Sequence, residues 1–163
     1  MIRTDDSPVA SYVEVDRQEE TEFRMQRIEM ANGRVRVDGG SPWEPRMGYS
    51  RAMKCGPMIT VAGCVGIDEN GSYPDTLGGQ TRCALKRIEA ALATLDAGLE
   101  HLIKIRIYTT CIERWEEIAE VMGPAMTEYR PPNVLVEVAA LVDAEALVEI
   151  EADAWMMDQH DET

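Results

Sequence analysis

Two runs, Asn133–Val138 and Leu147–Ala154, alternate hydrophobic and polar residues with a period of two. That period belongs to a strand with one face buried, because successive side chains of an extended backbone point to opposite sides. Val, Leu and Ile dominate both runs, and the polar bend Val142-Asp143-Ala144-Glu145 joins them. In the second run Val148, Ile150, Ala152 and Ala154 fall on one face, and Glu149, Glu151 and Asp153 on the other. Such a row of acids either forms a solvated sheet face or places one carboxylate in a cleft, where it handles a proton or a water. The residues alone leave both open.

A sheet with an apolar face needs a cover, and two segments supply it. Gln80–Leu99 is predicted to be a helix: Leu85, Ile88, Leu92, Leu95 and Leu99 recur at three- and four-residue spacing, and Gly98 stands where the helix should end. Glu113–Tyr129 is predicted to be a second, with the stripe Trp115, Ile118, Met122, Met126 and Tyr129 and a kink or local break at Gly123-Pro124. Further strands are expected at Tyr49–Lys54, Met58–Ala62 and Leu102–Thr110, the last setting Ile103, Ile105 and Ile107 against Lys104, Arg106 and Tyr108. A hairpin is expected over Phe23–Val37, turning at Asn32-Gly33. The order of strands, helix, strand, helix, strands is an α/β arrangement in which one sheet face serves both helices. The opposite face is then left for another copy of the chain.

At 163 residues the chain is read as one domain. Residues 1–22 read as an acidic arm, 23–157 as the domain with 23–39 an extra hairpin, and 158–163 as a tail. A net charge of −14 repels phosphate backbones and argues against a nucleic-acid partner. The opening MIRTDDSPVA has no apolar segment of the signal-peptide kind, and no long apolar run suggests a membrane partner. A cytoplasmic protein is expected. Cys55, Cys64, Cys83 and Cys111 are scattered without ligand spacing, beside His101 and His160 alone. That pattern argues against a metal site and a disulfide framework, so free thiols are expected.

GYSRAMKCGPMITVAG, QTRCALKRIEAAL, IKIRIYTTCIERWEEI and VLVEVAAL…LVEIEA, in this order from Gly40 to Trp155, resemble the RidA/YjgF family, also labelled L-PSP endoribonuclease-like. The resemblance implies a chorismate-mutase-like α/β fold with a mixed sheet, two helices on one face and a homotrimer. It also implies ligand clefts between subunits and hydrolysis of reactive enamines or imines to a keto acid and ammonia, without metal or organic cofactor. In that scheme an Arg pairs with the substrate carboxylate and a Glu on the last strand holds the attacking water. The Glu matches Glu149. The Arg, third in a Pro-Ala-Arg triplet, is replaced here by Asn133 of Pro131-Pro132-Asn133. A family Cys matches Leu135, and a family Asn matches Ala119. Turnover of an amino-acid-derived imine therefore does not simply carry over.

Other groups stand where the resemblance places the cleft. Cys64 follows Gly63 and is a candidate nucleophile, although no His or Lys lies nearby in sequence to activate it. Tyr49 is a candidate hydrogen-bond donor, Arg51 and Arg130 are candidate anion anchors, and Trp115 is a candidate cleft wall. Two readings follow: a divergent Rid-type deaminase or hydrolase with Glu149 positioning water, or a non-catalytic trimer that binds a small molecule in the same clefts. The ribonuclease label is disfavoured by the acidic charge and the lack of a basic stripe.

Overall fold

In the computed structural model, which describes residues 23–156, one seven-stranded sheet runs in the order β1-β2-β3-β4-β7-β5-β6. The strands are β1 (Gln26–Glu29), β2 (Arg34–Asp38), β3 (Ala52–Cys55), β4 (Met58–Val65), β5 (Leu102–Thr109), β6 (Asn133–Glu137) and β7 (Val148–Trp155). Neighbours are antiparallel except β5 and β6, which run parallel. The hairpin expected at Asn32-Gly33 forms, with Gly33 in the left-handed region at φ +76° that a tight turn demands. It extends the same sheet through β2 and β3. The expected arm 1–22 and tail 158–163 lie outside the described residues.

Among the described residues, three α-helices complete the fold: α1 (Trp43–Met47), α2 (Leu77–Ala93) and α3 (Trp115–Met126). The α2 helix lies across β4 and β7, and α3 packs beside it. Val148, Ile150, Ala152 and Ala154 are buried beneath them in one core with Ile59, Val61, Leu85, Ile88, Leu92, Ile105, Ile107, Ile118 and Met122. The opposite sheet face carries Thr60, Arg106, Tyr108, Glu149, Glu151 and Asp153 in register. Among the described residues, no helix is long and apolar enough to cross a membrane.

Several expectations need correction. The α2 helix starts at Leu77, where Thr76 Oγ1 accepts the Gly79 N–H at 3.0 Å, and it stops at Ala93 rather than near Gly98. Asp96, at φ 61°, makes the left-handed turn, and Arg27 binds both Asp96 and the Thr94 carbonyl. Leu95 is still fully buried after the helix has ended. Pro124 does not break α3, because the carbonyl it leaves unbonded belongs to Glu120 on the exposed side. Trp115 and Tyr129, the ends of the expected stripe, are 49% and 42% exposed, and Val121 is buried instead. A register shift between Leu102 and Lys104 buries Leu102 and turns Ile103 outward. Finally, β6 and β7 are joined in sequence by the polar bend but are not paired, because β5 lies between them.

Candidate functional site

The site is organised by a defect in β4. Opposite β7, Val61 pairs with Ala152 and Cys64 with Ile150, so β4 carries one extra residue at Ala62-Gly63. A bulge of this kind bends the strand and frees carbonyls from the ladder. Arg51 takes them: its Nη1 donates to the Gly63 carbonyl at 2.6 Å and to the Ala62 carbonyl at 3.5 Å. Arg51 is 3% exposed and is held in place by Tyr49 and Glu44. Its Nη2 donates to Tyr49 Oη at 3.2 Å and lies 3.6 Å from Glu44 Oε1. The buried Glu44 carboxylate in turn accepts the Gly39 N–H. Burial works against the Arg51 charge, but Cys64, Tyr49 and Glu44 outweigh it and hold the guanidinium more basic than usual.

Glu149 is the second residue of β7, paired with Val65 on one side and Tyr108 on the other. Its carboxylate lies directly over Gly63, where an added Cβ would collide with it. Glycine is required here for close approach, not for backbone conformation. Glu149 is half-buried, and that burial raises its pKa; Arg51 pulls it down and Glu151 pushes it up. A carboxylate so placed can accept a proton or hold a water at higher pH than an exposed Glu.

Glu151 and Asp153 continue the same face but are engaged otherwise. Asp153 binds Arg106 at 2.9 Å and Thr60 Oγ1 at 2.9 Å, and Glu151 accepts from Tyr108 Oη at 3.2 Å. Glu149 is therefore the acid of the row that the bulge singles out.

Cys64 does not suit the nucleophilic role expected of it. It pairs with Ile150, so its side chain lies on the helix-covered face, opposite to that of Glu149. It is fully buried, and burial pushes its thiol pKa up despite Arg51 Nη1 at 3.5 Å. Asn133 and Leu135 pair with Ile105 and Ile107 on β5, also on the helix side and two strands away from Glu149. One chain does not bring them together with the carboxylate. Arg130 is exposed, at φ 45°, and donates to the Thr127 carbonyl, so it finishes α3 rather than anchoring an anion. Trp115 begins α3, a few residues past the end of β5 that pairs with Val148. Among the described residues, no three His, Cys, Asp or Glu side chains gather as a metal site.

Glu44 and the bulge were not anticipated from sequence. A Gly late in an apolar strand, after a small residue, is the signal that could have marked the bulge.

The family model described as Endoribonuclease L-PSP matches residues 40–156. A solved member of the YjgF/YER057c/UK114 family from Mycobacterium tuberculosis superposes with a TM-score of 0.71 at 45% identity, covering 76% of this chain and 99% of that one. A RutC family protein of Pyrococcus abyssi is 33% identical over 109 residues, which is 66% of this chain and 85% of the relative. The Escherichia coli protein TdcF, solved with bound serine, shares the fold at a TM-score of 0.63 and 24% identity, covering 67% of this chain and 88% of that one.

Proposed function

The chain belongs to the Endoribonuclease L-PSP family, the RidA/YjgF group, and from that premise we propose that it is a divergent Rid-type hydrolase. Its substrate is an imine, or an enamine that tautomerises to one, and its site is a cleft between copies of a homotrimer. Water held by Glu149 attacks the imine carbon while Glu149 accepts a proton from it. That proton passes to the nitrogen to give a carbinolamine; its hydroxyl proton then moves to the nitrogen by way of Glu149 as the carbon–nitrogen bond breaks, and a carbonyl compound and ammonia leave. The observation that carries this reading is the Glu149 carboxylate fixed over Gly63, half-buried and with a raised pKa.

The trimer is supported by the uncovered sheet face, which exposes Met58, Val134, Val136 and Trp155 beside the acidic row. Asn133 and Leu135, remote from Glu149 in their own chain, would reach the cleft from a neighbouring copy. One observation favours a second reading, a trimer that binds its ligand without turning it over: Asn133 stands where the resemblance calls for the substrate-pairing Arg. The serine bound by TdcF supports small-molecule binding at such folds.

The test is release of keto acid and ammonia from 2-aminoacrylate-type imines generated in situ, with semicarbazide as competing trap. The wild type accelerates release, and Glu149→Gln loses that acceleration while keeping its oligomeric mass. Equal rates for the two proteins remove the water-holding role. No acceleration by either, with a ligand still bound, leaves the binding reading.

A further inference from the structure

Among the described residues, Arg87 is a buried cation with no ion-paired carboxylate. It lies on the inward side of α2 with Gln80, Ala84 and Ala91 and is 9% exposed. Its Nε is buried and has no hydrogen-bond partner. Among the described residues no Asp or Glu forms an ion pair with it, and its one ring contact is the face of Phe23, 5.2 Å from the guanidinium carbon. The groups that bear on its charge are Cys64, Arg51, Tyr49 and Tyr73. Burial pushes the pKa of Cys64 and of Tyr73 up, so both keep their protons, and Arg51 repels the charge. Burial, reinforced by Arg51, makes Arg87 less basic than usual.

Buried charges in proteins are normally paired, and a buried polar atom without a partner points to an ion or water that completes it. Nearby carboxylates are committed elsewhere. Glu44 serves Arg51 and the Gly39 N–H. Asp143 bears on Tyr73, whose pKa is pushed up to about 12 by burial and by that carboxylate, so the phenol keeps its proton. Arg51 and Glu44 cancel, which leaves one net positive charge at Arg87 among the described residues of this cluster.

We propose that Arg87, with Arg51 beside it and Tyr49, Tyr73 and Phe23 around it, forms a binding site for a small monocarboxylate on the helix side of the β4 bulge. One negative charge balances the one uncompensated positive charge, and the free Nε edge of a guanidinium matches a planar carboxylate. A phosphate dianion would overshoot that balance and would lie near Asp143 and Glu145, which already bear on Tyr73. The site is separate from the Glu149 cleft, since Arg87 and Cys64 lie on the covered side of the sheet and Glu149 on the other. The two communicate through Arg51, which binds the Gly63 carbonyl at 2.6 Å beneath the Glu149 carboxylate. An anion at Arg87 offsets the pull of Arg51 on Glu149, so Glu149 becomes easier to protonate when the site is filled.

The experiment is a titration of the whole protein with acetate, with inorganic phosphate and chloride as contrasts at matched ionic strength, read on the arginine Nε–H resonances. Acetate is expected to shift the Arg87 resonance and to raise the pKa of Glu149 followed by carboxyl carbon shift. Arg87→Met weakens acetate binding at least tenfold, Arg87→Lys weakens it less, and Glu149→Gln, which removes the negative charge coupled to the site through Arg51, tightens it. An Arg87 resonance that ignores acetate in the wild type overturns the site, whether or not the variants fold. Phosphate binding as tightly as acetate, or unchanged acetate binding in a folded Arg87→Met protein, overturns it equally. Because the acetate arm needs no turnover, a failed hydrolase assay and a failed anion site remain distinguishable.

Discussion

Replacing Gly63 by Ala separates the position of the Glu149 carboxylate from the stability of the fold. The backbone at Gly63 is not left-handed, so alanine fits the chain conformation there. The added Cβ would stand 2.8 Å from Glu149 Cδ and 3.0 Å from Cγ, and closer still to a carboxylate oxygen. Ordinary contact begins at 3.4 Å, so Cδ must retreat by about 0.6 Å and the oxygen by more. The side chain gives way rather than the strand, because Arg51 pins the Gly63 carbonyl at 2.6 Å. A Gly-to-Ala change at a compatible site gains about 0.4–1 kcal/mol through the unfolded state. An off-rotamer Glu costs about 0.5–1.5 kcal/mol. The two nearly cancel, and Tm should move by less than about 4 °C. A reacting group displaced by roughly 1 Å loses on the order of 100-fold in rate, so Gly63→Ala should cut imine hydrolysis by about 10- to 100-fold. Carboxyl NMR titration should meanwhile find the Glu149 pKa back towards the ordinary carboxylate range as the group leaves its burial. A Tm loss above about 10 °C with an unchanged Glu149 titration would refute the reasoning, since the strand would then have moved and the carboxylate stayed.

Light scattering at micromolar concentration should give about three times the 18.2 kDa chain mass, and a monomer or dimer mass would remove the proposed intersubunit cleft. Glu149→Gln should raise Tm at pH 7. The folded-state pKa lies above the unfolded one, so the carboxyl favours folding below the unfolded pKa and loses that contribution as pH rises through the folded value. Melts from pH 8 down to pH 4 should show the gain shrink, and a gain that grows towards acid would reverse the sign of the shift. Gln80 is 2% exposed; its Oε1 accepts the Leu147 N–H at 2.7 Å, and its Nε2 donates to the carbonyls of Pro74 and Glu145. Gln80→Leu strands all three backbone groups and should cost about 3 kcal/mol, roughly 6–12 °C by calorimetry. A change under 2 °C would mean water replaces the amide.

Periodicity carried the fold a long way. The alternation in Val148–Ala154 predicted which side chains of β7 are buried, and Asn32-Gly33 predicted the hairpin. What local pattern could not carry was long-range pairing. Nothing between Asn133 and Ala154 reveals that β5 inserts between the two runs, because the pairing is decided by a partner about 30 to 50 residues away along the chain. Bulges escaped for the same reason: Ile103 looks like a core position until the partner strand sets the register. At the candidate site, Glu149 was singled out through the resemblance, whereas Arg51, read from sequence as an anion anchor, is instead buried and committed to the bulge carbonyls. Their junction at Gly63 was not legible, since a contact between residues 63 and 149 is invisible to any local window. Arg87 escaped because a cation inside a leucine-rich helix reads as its solvated face.

The position of β7 also bears on how the chain is made. It follows every other strand in sequence, yet it lies between β4 and β5 at the heart of the sheet. Pairings such as that of Thr60 with Asp153, 93 residues apart, cannot form until the last strand has been made. Until residues 148–155 arrive, β1–β4 and β5–β6 are two half-sheets, each with a bare edge and an apolar face. Unpaired edges of that kind invite association with other chains. Closure of the sheet therefore waits for residues 148–155, and a chain stopped before Val148 leaves both edges open.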